Sequence, residues 1–260
     1  MCNCMLVTDA GSIKERFLTT GCSRLDAKLG GGIPCRGVTQ IYGAAGTGKS
    51  QLALQLCLTV QLPITANGLE AGAIYICTEA AFPSKRLQQL LENSKIAKTH
   101  SVNGDVIFVS HIATIEKLED CLQRDVPVLM NARKIGLLII DSIGALFRAE
   151  DLQEPDKIQL LSRSKRSIGR QLHELCKNDD LCVICINQVC AVIDGHRLIT
   201  ENATEQPALG FTWSSMITTS IYFYRNRRLS VRYACVMLAS HLPRLTFQFE
   251  VNESGIRVIE

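Results

Sequence analysis

The stretch IYGAAGTGKSQLAL, residues 41–54, decides the fold. Ahead of it and running into it, residues 38–42 (VTQIY) have the composition of a buried strand. Behind it, residues 49–61 are apolar nearly all round, which predicts a buried helix. Between the two, Gly43, Ala44, Ala45, Gly46, Thr47, Gly48, Lys49 and Ser50 match the pattern G-x-x-x-x-G-K-S/T in full. Glycines here let the backbone wrap tightly and turn its N–H groups toward phosphate oxygens. The start of the following helix adds positive potential. The segment therefore reads as a cradle for ATP, closed by Gln51, with Lys49 reaching the β- and γ-phosphates and the Ser50 hydroxyl on Mg²⁺. A cradle alone does not say whether the nucleotide is hydrolysed or used to lock two chains together.

Working outward, short apolar runs alternate with longer helical stretches. The runs are residues 73–77, 106–109, 137–140 and 181–186, and helices are predicted over 83–93, 114–125 and 156–177. Strands that are apolar on both faces imply a mostly parallel sheet with helices on each side. After Trp213 the pattern changes. Residues 217–224, 229–239 and 245–251 read as consecutive strands with short connections, an antiparallel C-terminal extension of the sheet. The expected organisation is α/β: a loose lead-in over 1–14, then one core over 15–260.

Three strand ends carry candidate chemistry. Asp141 ends the run LLIID, where an acid can hold magnesium through water. Glu79 ends the run AIYICTE and can polarise a water that attacks the γ-phosphate, or can cap the helix near Pro83. Asn187-Gln188 ends the run 181–186 and either senses the γ-phosphate or is an ordinary turn amide.

Composition limits the alternatives. The chain has 260 residues, 47% of them hydrophobic, which is enough for a sizeable core. No stretch of 18 or more residues is continuously apolar, so no membrane span is expected. Of the twelve cysteines, Cys77, Cys182, Cys185 and Cys235 lie in apolar β-type runs, where a free thiol acts as a small hydrophobe. Cys182 and Cys185 have metal-like spacing, but three apart in a strand they face opposite ways. Free thiols fit a reducing compartment. The net charge of +3 neither demands nor excludes nucleic acid.

The ordered set LGGGI (29–33), the cradle, YICTE (75–79), LLIID (137–141) and CINQV (185–189) resembles the RecA-type recombinases of eukaryotes. QLALQLCL (51–58), GLEAGAIYICTE (68–79), KRLQQL (85–90) and HLP (241–243) narrow the resemblance to the recombinase paralogs. It covers about residues 15–258. It implies a RecA-like ATPase core, Glu79 as the catalytic glutamate, Gln188 as the phosphate sensor, Arg86 against the adenine and a cis bond between Asp141 and Ser142. It also implies two DNA-facing loops, about 147–167 and 192–209. Arg148 falls in the first; Arg163, Arg166 and Arg170 share one helix face, either a phosphate track or a solvated surface.

In such recombinases a neighbouring protomer roofs the nucleotide with an acid and a proline. Here Leu238 stands where the acid is expected, and Ser240, His241 and Pro243 are the candidate contacts in trans. Neither the family's N-terminal helical domain nor its aromatic-x-x-alanine plug is seen, since FLTT (17–20) has threonine where alanine is expected. The expectation is an ATP- and Mg²⁺-binding subunit of a hetero-oligomer, docking on one side. Its expected partners are another recombinase paralog, the recombinase itself and single-stranded or branched DNA, in the nucleus and also the cytoplasm. The rivals are an autonomous DNA-dependent ATPase forming its own filament and a small-molecule P-loop kinase.

Overall fold

The computed structural model of the chain describes residues 15–148, 155–177, 181–191, 205–226 and 231–259. In chain order the strands are β1 (Phe17–Leu18), β2 (Ile33–Pro34), β3 (Val38–Tyr42), β4 (Gly72–Cys77), β5 (Ile107–His111), β6 (Ile135–Asp141) and β7 (Cys182–Asn187). They continue with β8 (Val189–Ala191), β9 (Glu205–Pro207), β10 (Thr219–Asn226), β11 (Val231–Leu238), β12 (Leu245–Asn252) and β13 (Gly255–Val258). The α-helices are α1 (Ser23–Lys28), α2 (Lys49–Thr59), α3 (Ser84–Asn93), α4 (Lys95–Thr99), α5 (Ile115–Asp120), α6 (Val126–Ala132), α7 (Ile143–Arg148), α8 (Pro155–Leu175) and α9 (Gly210–Ser214).

Nine strands form one sheet in the order β13-β12-β11-β10-β3-β7-β6-β4-β5. From β10 to β5 every pairing is parallel; from β10 to β13 every pairing is antiparallel. The strand before the cradle thus sits inside the sheet, between β10 and β7, and all its residues are buried. Such a strand has to be apolar on both faces, and that is how its sequence reads.

The two faces of the sheet make two core layers. One holds α2 with Ile41, Tyr75, Ile139 and Ile184; the other holds Ile76, Ile140, Ile143, Ile168 and Trp213. The α2 helix is buried nearly all round, from Leu52 to Thr59, as its sequence demands. Cys182 packs in the first layer and Cys185 in the second, so alternation does separate this CxxC pair. Thr114 starts α5 by accepting the Lys117 N–H at 3.3 Å. From there α5, a π-helical turn (Cys121–Asp125) and α6 run on, so the predicted helix ends seven residues later than expected, at Ala132 instead of 125.

Two expectations are corrected. The strand predicted over 217–224 is β10, and it is parallel to β3, so the antiparallel extension begins at β11. It also has a further strand, β13, whose four residues are too few to leave a periodic signal. The first expected loop, 147–167, is mostly helix: Phe147 and Arg148 end α7, and 155–167 lie in α8. An amphipathic helix pattern with Leu161 buried beneath it overrides the loop expectation. Of the second expected loop, 192–204 lie outside the described residues, while β9 pairs with β8 and Leu209 leads into α9. Among the described residues, no helix is long and apolar enough to cross a membrane.

Candidate nucleotide-binding site

Parallel strands deliver their C-terminal ends to one side of a sheet, and there the loops open a cleft of about 1100 Å³. Its floor is the cradle. A Cβ on Gly43 would lie 2.0 Å from the Phe223 carbonyl oxygen, so only glycine fits beside β10. Gly46 needs its residue type for another reason: φ is +76°, although space around it is open. The chain then enters α2 at Lys49, presenting a helix N-terminus to the cleft.

The Lys49 ammonium donates to the carbonyls of Gly43 at 2.7 Å and Ala44 at 2.8 Å. Burial pulls its pKa below the ordinary lysine value, and Asp141, Glu205 and Glu79 oppose that shift. Asp141 Oδ2 accepts two hydroxyls at 2.6 Å each, from Ser50 and from Tyr75. Burial, with Asp141 alongside, raises the Tyr75 phenol far above its usual range, so it stays a donor. A serine hydroxyl and a carboxylate meeting at one point are hard oxygen donors of the kind Mg²⁺ takes. The Asp141–Ser142 peptide is cis, as the resemblance implies. Thr78 brackets it: Oγ1 donates to the Ser142 carbonyl at 2.6 Å and accepts the Ser142 N–H at 2.9 Å.

Glu79 does not cap α3, whose start has no side-chain cap. It faces the cleft, where Arg148 donates to Oε1 at 2.9 Å and Gln188 Nε2 donates to Oε2 at 2.8 Å. Arg148 also donates to Gln188 Oε1, which closes a ring of three side chains. The two strand-end amides part company. Gln188 belongs to the cleft, whereas Asn187 is fully buried and donates to Gln40 Oε1 at 3.0 Å and the Ala208 carbonyl at 2.8 Å.

At the other end of the cleft, Arg86 donates to Gln51 Oε1 at 2.6 Å and to the carbonyls of Asn252 and Glu253. The guanidinium is thereby fixed between α3 and the β12–β13 turn, a flat cation of the kind a base ring stacks on. Gln51 thus belongs with the nucleoside end of the cleft.

The arginines expected to face DNA separate. Arg148 lines the nucleotide cleft, while Arg163, Arg166 and Arg170 are exposed on α8. Ser240, His241 and Pro243 lie remote from their own cradle. Leu238 pairs with Ser220, near the start of β10, so the segment after it sits at the end of the sheet where β3 begins. There the His241 ring packs 5.1 Å from Phe17 and Nε2 donates to the Leu29 carbonyl at 3.3 Å.

Two cleft groups, and the threonine that brackets the cis peptide, escaped sequence reading. Tyr75 looks like any strand aromatic. Thr78 looks like any loop threonine. Arg232, whose Nε lies 3.5 Å from the Gly46 carbonyl, did leave a trace: it is the charged member of the set Arg232, Ala234, Val236, whose other two are buried.

ATP and magnesium fit these residues. Lys49 and the N–H groups of 43–50 would hold phosphates, Ser50 and Asp141 the ion, and Arg86 with Gln51 the base. Bound there, the pair supplies a cleavable phosphoanhydride; Glu79 supplies a carboxylate that can take a proton from water.

Comparison with known proteins points the same way. The Rad51 family profile matches residues 14–259. The DNA repair protein XRCC3 of Mus musculus is 37% identical over 266 residues, covering 94% of this chain and 76% of that protein. The DNA repair protein rhp57 of Schizosaccharomyces pombe is 29% identical, covering 95% and 80%. The DNA repair and recombination protein RadA of Aeropyrum pernix is 31% identical, covering 95% and 74%. With a RecA-like sheet, a phosphate cradle and a match over nearly its whole length, this chain belongs to the Rad51 family, as a recombinase paralog similar to XRCC3.

Proposed function

We propose that the chain is an ATP-binding recombinase-paralog subunit of homologous-recombination DNA repair in the nucleus. In this reading it works in a hetero-oligomer and assists recombinase assembly on DNA. The observation that carries the reading is the meeting of Lys49, Ser50, Glu79, Asp141 and Gln188 in one cleft at the C-terminal ends of the parallel strands. The open roof of that cleft is completed by another paralog, and nucleotide bound at the seam stabilises the contact. A ligand present at 100 times its Kd adds about 2.7 kcal/mol to the state that binds it. Ser240, His241 and Pro243 would serve a neighbour's nucleotide, a reading that their distance from their own cradle supports.

Light scattering coupled to size-exclusion chromatography tests this, with the protein alone and with candidate paralogs, with and without Mg-ATP. The expected result is a nucleotide-strengthened heteromer that Lys49→Ala weakens. Partner retention that ignores nucleotide removes the seam. The complete set of hydrolytic groups favours one rival, an autonomous DNA-dependent ATPase. Strong turnover by the isolated chain on single-stranded DNA would establish that instead.

A further inference from the structure

We infer that Arg148 is a latch on the hydrolytic pair: it holds Glu79 and Gln188 in an idle arrangement until a phosphate of single-stranded nucleic acid draws its guanidinium away. The proposal rests on the ATP-binding reading above and goes on to say how that site is restrained.

The ring of three side chains leaves little of the pair free. Both Glu79 oxygens accept hydrogen bonds, one from Arg148 at 2.9 Å and one from Gln188 at 2.8 Å. Both ends of the Gln188 amide are used as well, Oε1 by Arg148 and Nε2 by Glu79. A carboxylate whose two oxygens are bonded to Arg148 and Gln188 is held in one orientation, so aiming it at a water means breaking one of those bonds. An amide held at both ends keeps one free N–H on Nε2, but it cannot swing that group toward a third phosphate without breaking one of its two bonds. Hydrolysis therefore requires the ring to open, and Arg148 is its only cation.

Arg148 is also the member a competing anion can reach. Its side chain is 50% exposed and that of Glu79 52%, so the pair is solvent-screened and weak. Its backbone, by contrast, is fixed. Ile143, Leu146 and Phe147 of α7 are buried, and the Lys165 ammonium sits 5.4 Å from the Phe147 ring centroid. Lys165 also donates to the Leu209 carbonyl at 3.2 Å. The end of α7 is thus pinned to α8, whose Arg163, Arg166 and Arg170 are exposed on one helical face. A nucleic-acid backbone that binds those arginines has its phosphates on the helix packed against α7, the helix that carries Arg148. A phosphate that binds Arg148 only when the ring is open shifts the pair toward its working state by that differential affinity.

The test uses the full chain, in the complex it occupies, as wild type, Arg148→Ala and Arg148→Lys. Binding is followed with a fluorescent ATP analogue, and phosphate release with and without a single-stranded oligonucleotide. The latch predicts that Arg148→Ala changes kcat far more than it changes nucleotide affinity or KM. Its DNA-free kcat rises roughly two- to five-fold, the scale of losing a half-exposed ion pair. Stimulation by DNA falls toward none. Arg148→Lys lies between, because an ammonium does not bridge two planar acceptors as a guanidinium does. A fall in kcat with and without DNA, or a DNA stimulation equal to wild type, overturns the latch and makes Arg148 a nucleotide contact. Binding without any gain of turnover overturns it too. Absence of nucleotide binding by the wild type removes the ATP reading itself, a separate result.

Discussion

Ser50 and Asp141 stand 91 residues apart in the chain, yet the Ser50 hydroxyl donates to Asp141 Oδ2 at 2.6 Å. The pairing of β6 beside β7, and β7 beside β3, brings the two loops together. Because the same oxygen also accepts from Tyr75, the carboxylate is aimed before any cation arrives.

Asp141→Asn should therefore act on magnesium first. The Mg²⁺ concentration needed for nucleotide binding should rise about 10–100-fold, as when an orienting group beside a metal is lost. Titrating Mg²⁺ against a fluorescent ATP analogue reads this directly. Tyr75→Phe keeps the ring packing and removes one hydrogen bond to a charged group, at a cost of about 1.5–3 kcal/mol. Denaturant unfolding measures it; a stability equal to wild type would show the bond adds nothing.

Lys49→Ala removes the cradle's point charge. Nucleotide affinity should drop at least tenfold, about 1.4 kcal/mol. The fold should persist, since the ammonium's partners are two loop carbonyls that water can reach once the side chain is gone. Circular dichroism and a binding titration separate the two outcomes. Collapse of the spectrum would mean that Lys49 is structural.

Beneath Gln188 lies a buried polar cluster. Gln40 Oε1 accepts from Trp213 Nε1 at 2.9 Å and from Asn187 Nδ2 at 3.0 Å, and its Nε2 donates to Ser220 at 3.3 Å. Gln40→Leu leaves two buried donors without an acceptor, and should cost about 2–4 kcal/mol. Because Asn187 precedes Gln188, the lesion should also weaken any response to nucleotide. Urea unfolding and tryptophan fluorescence report on the same variant, and an unshifted midpoint would contradict the assignment.

Alkaline pH should destabilise the fold. A thiol that ordinarily titrates at 9.0 is pushed up by burial to about 12 at Cys176 and about 11 at Cys77. Tyr42 is held at about 12, against 10.0. A raised pKa in the fold means that the unfolded chain loses its proton first as pH climbs. The contribution is whole below about pH 9 and is lost from there through about pH 12. The expected slope is roughly 1 kcal/mol per thiol between pH 9 and 10, and Cys176→Ala should make it shallower. Unfolding curves at stepped pH decide it; a flat profile would contradict the burial of these groups.

The cradle, the parallel strands around it and the strand-end acid were all legible in the residues. Each of these is local: a glycine spacing, an apolar run, a single residue at its end. Alternation along a strand even separated Cys182 from Cys185 correctly. The family followed from the order of those pieces along the chain. Which groups share a space emerged from the folded chain alone. Glu79 could be a cap or a catalytic carboxylate until β4 and β7 set it against Gln188. Arg148 falls within an expected DNA-facing loop, yet only the packing of α7 shows that it also reaches Glu79 and Gln188 in the cleft. Asn187 and Gln188 look equivalent in a dipeptide, but one faces the core and the other the cleft. Contacts between residues 40 to 109 positions apart depend on strand order and helix rotation, which no local pattern encodes.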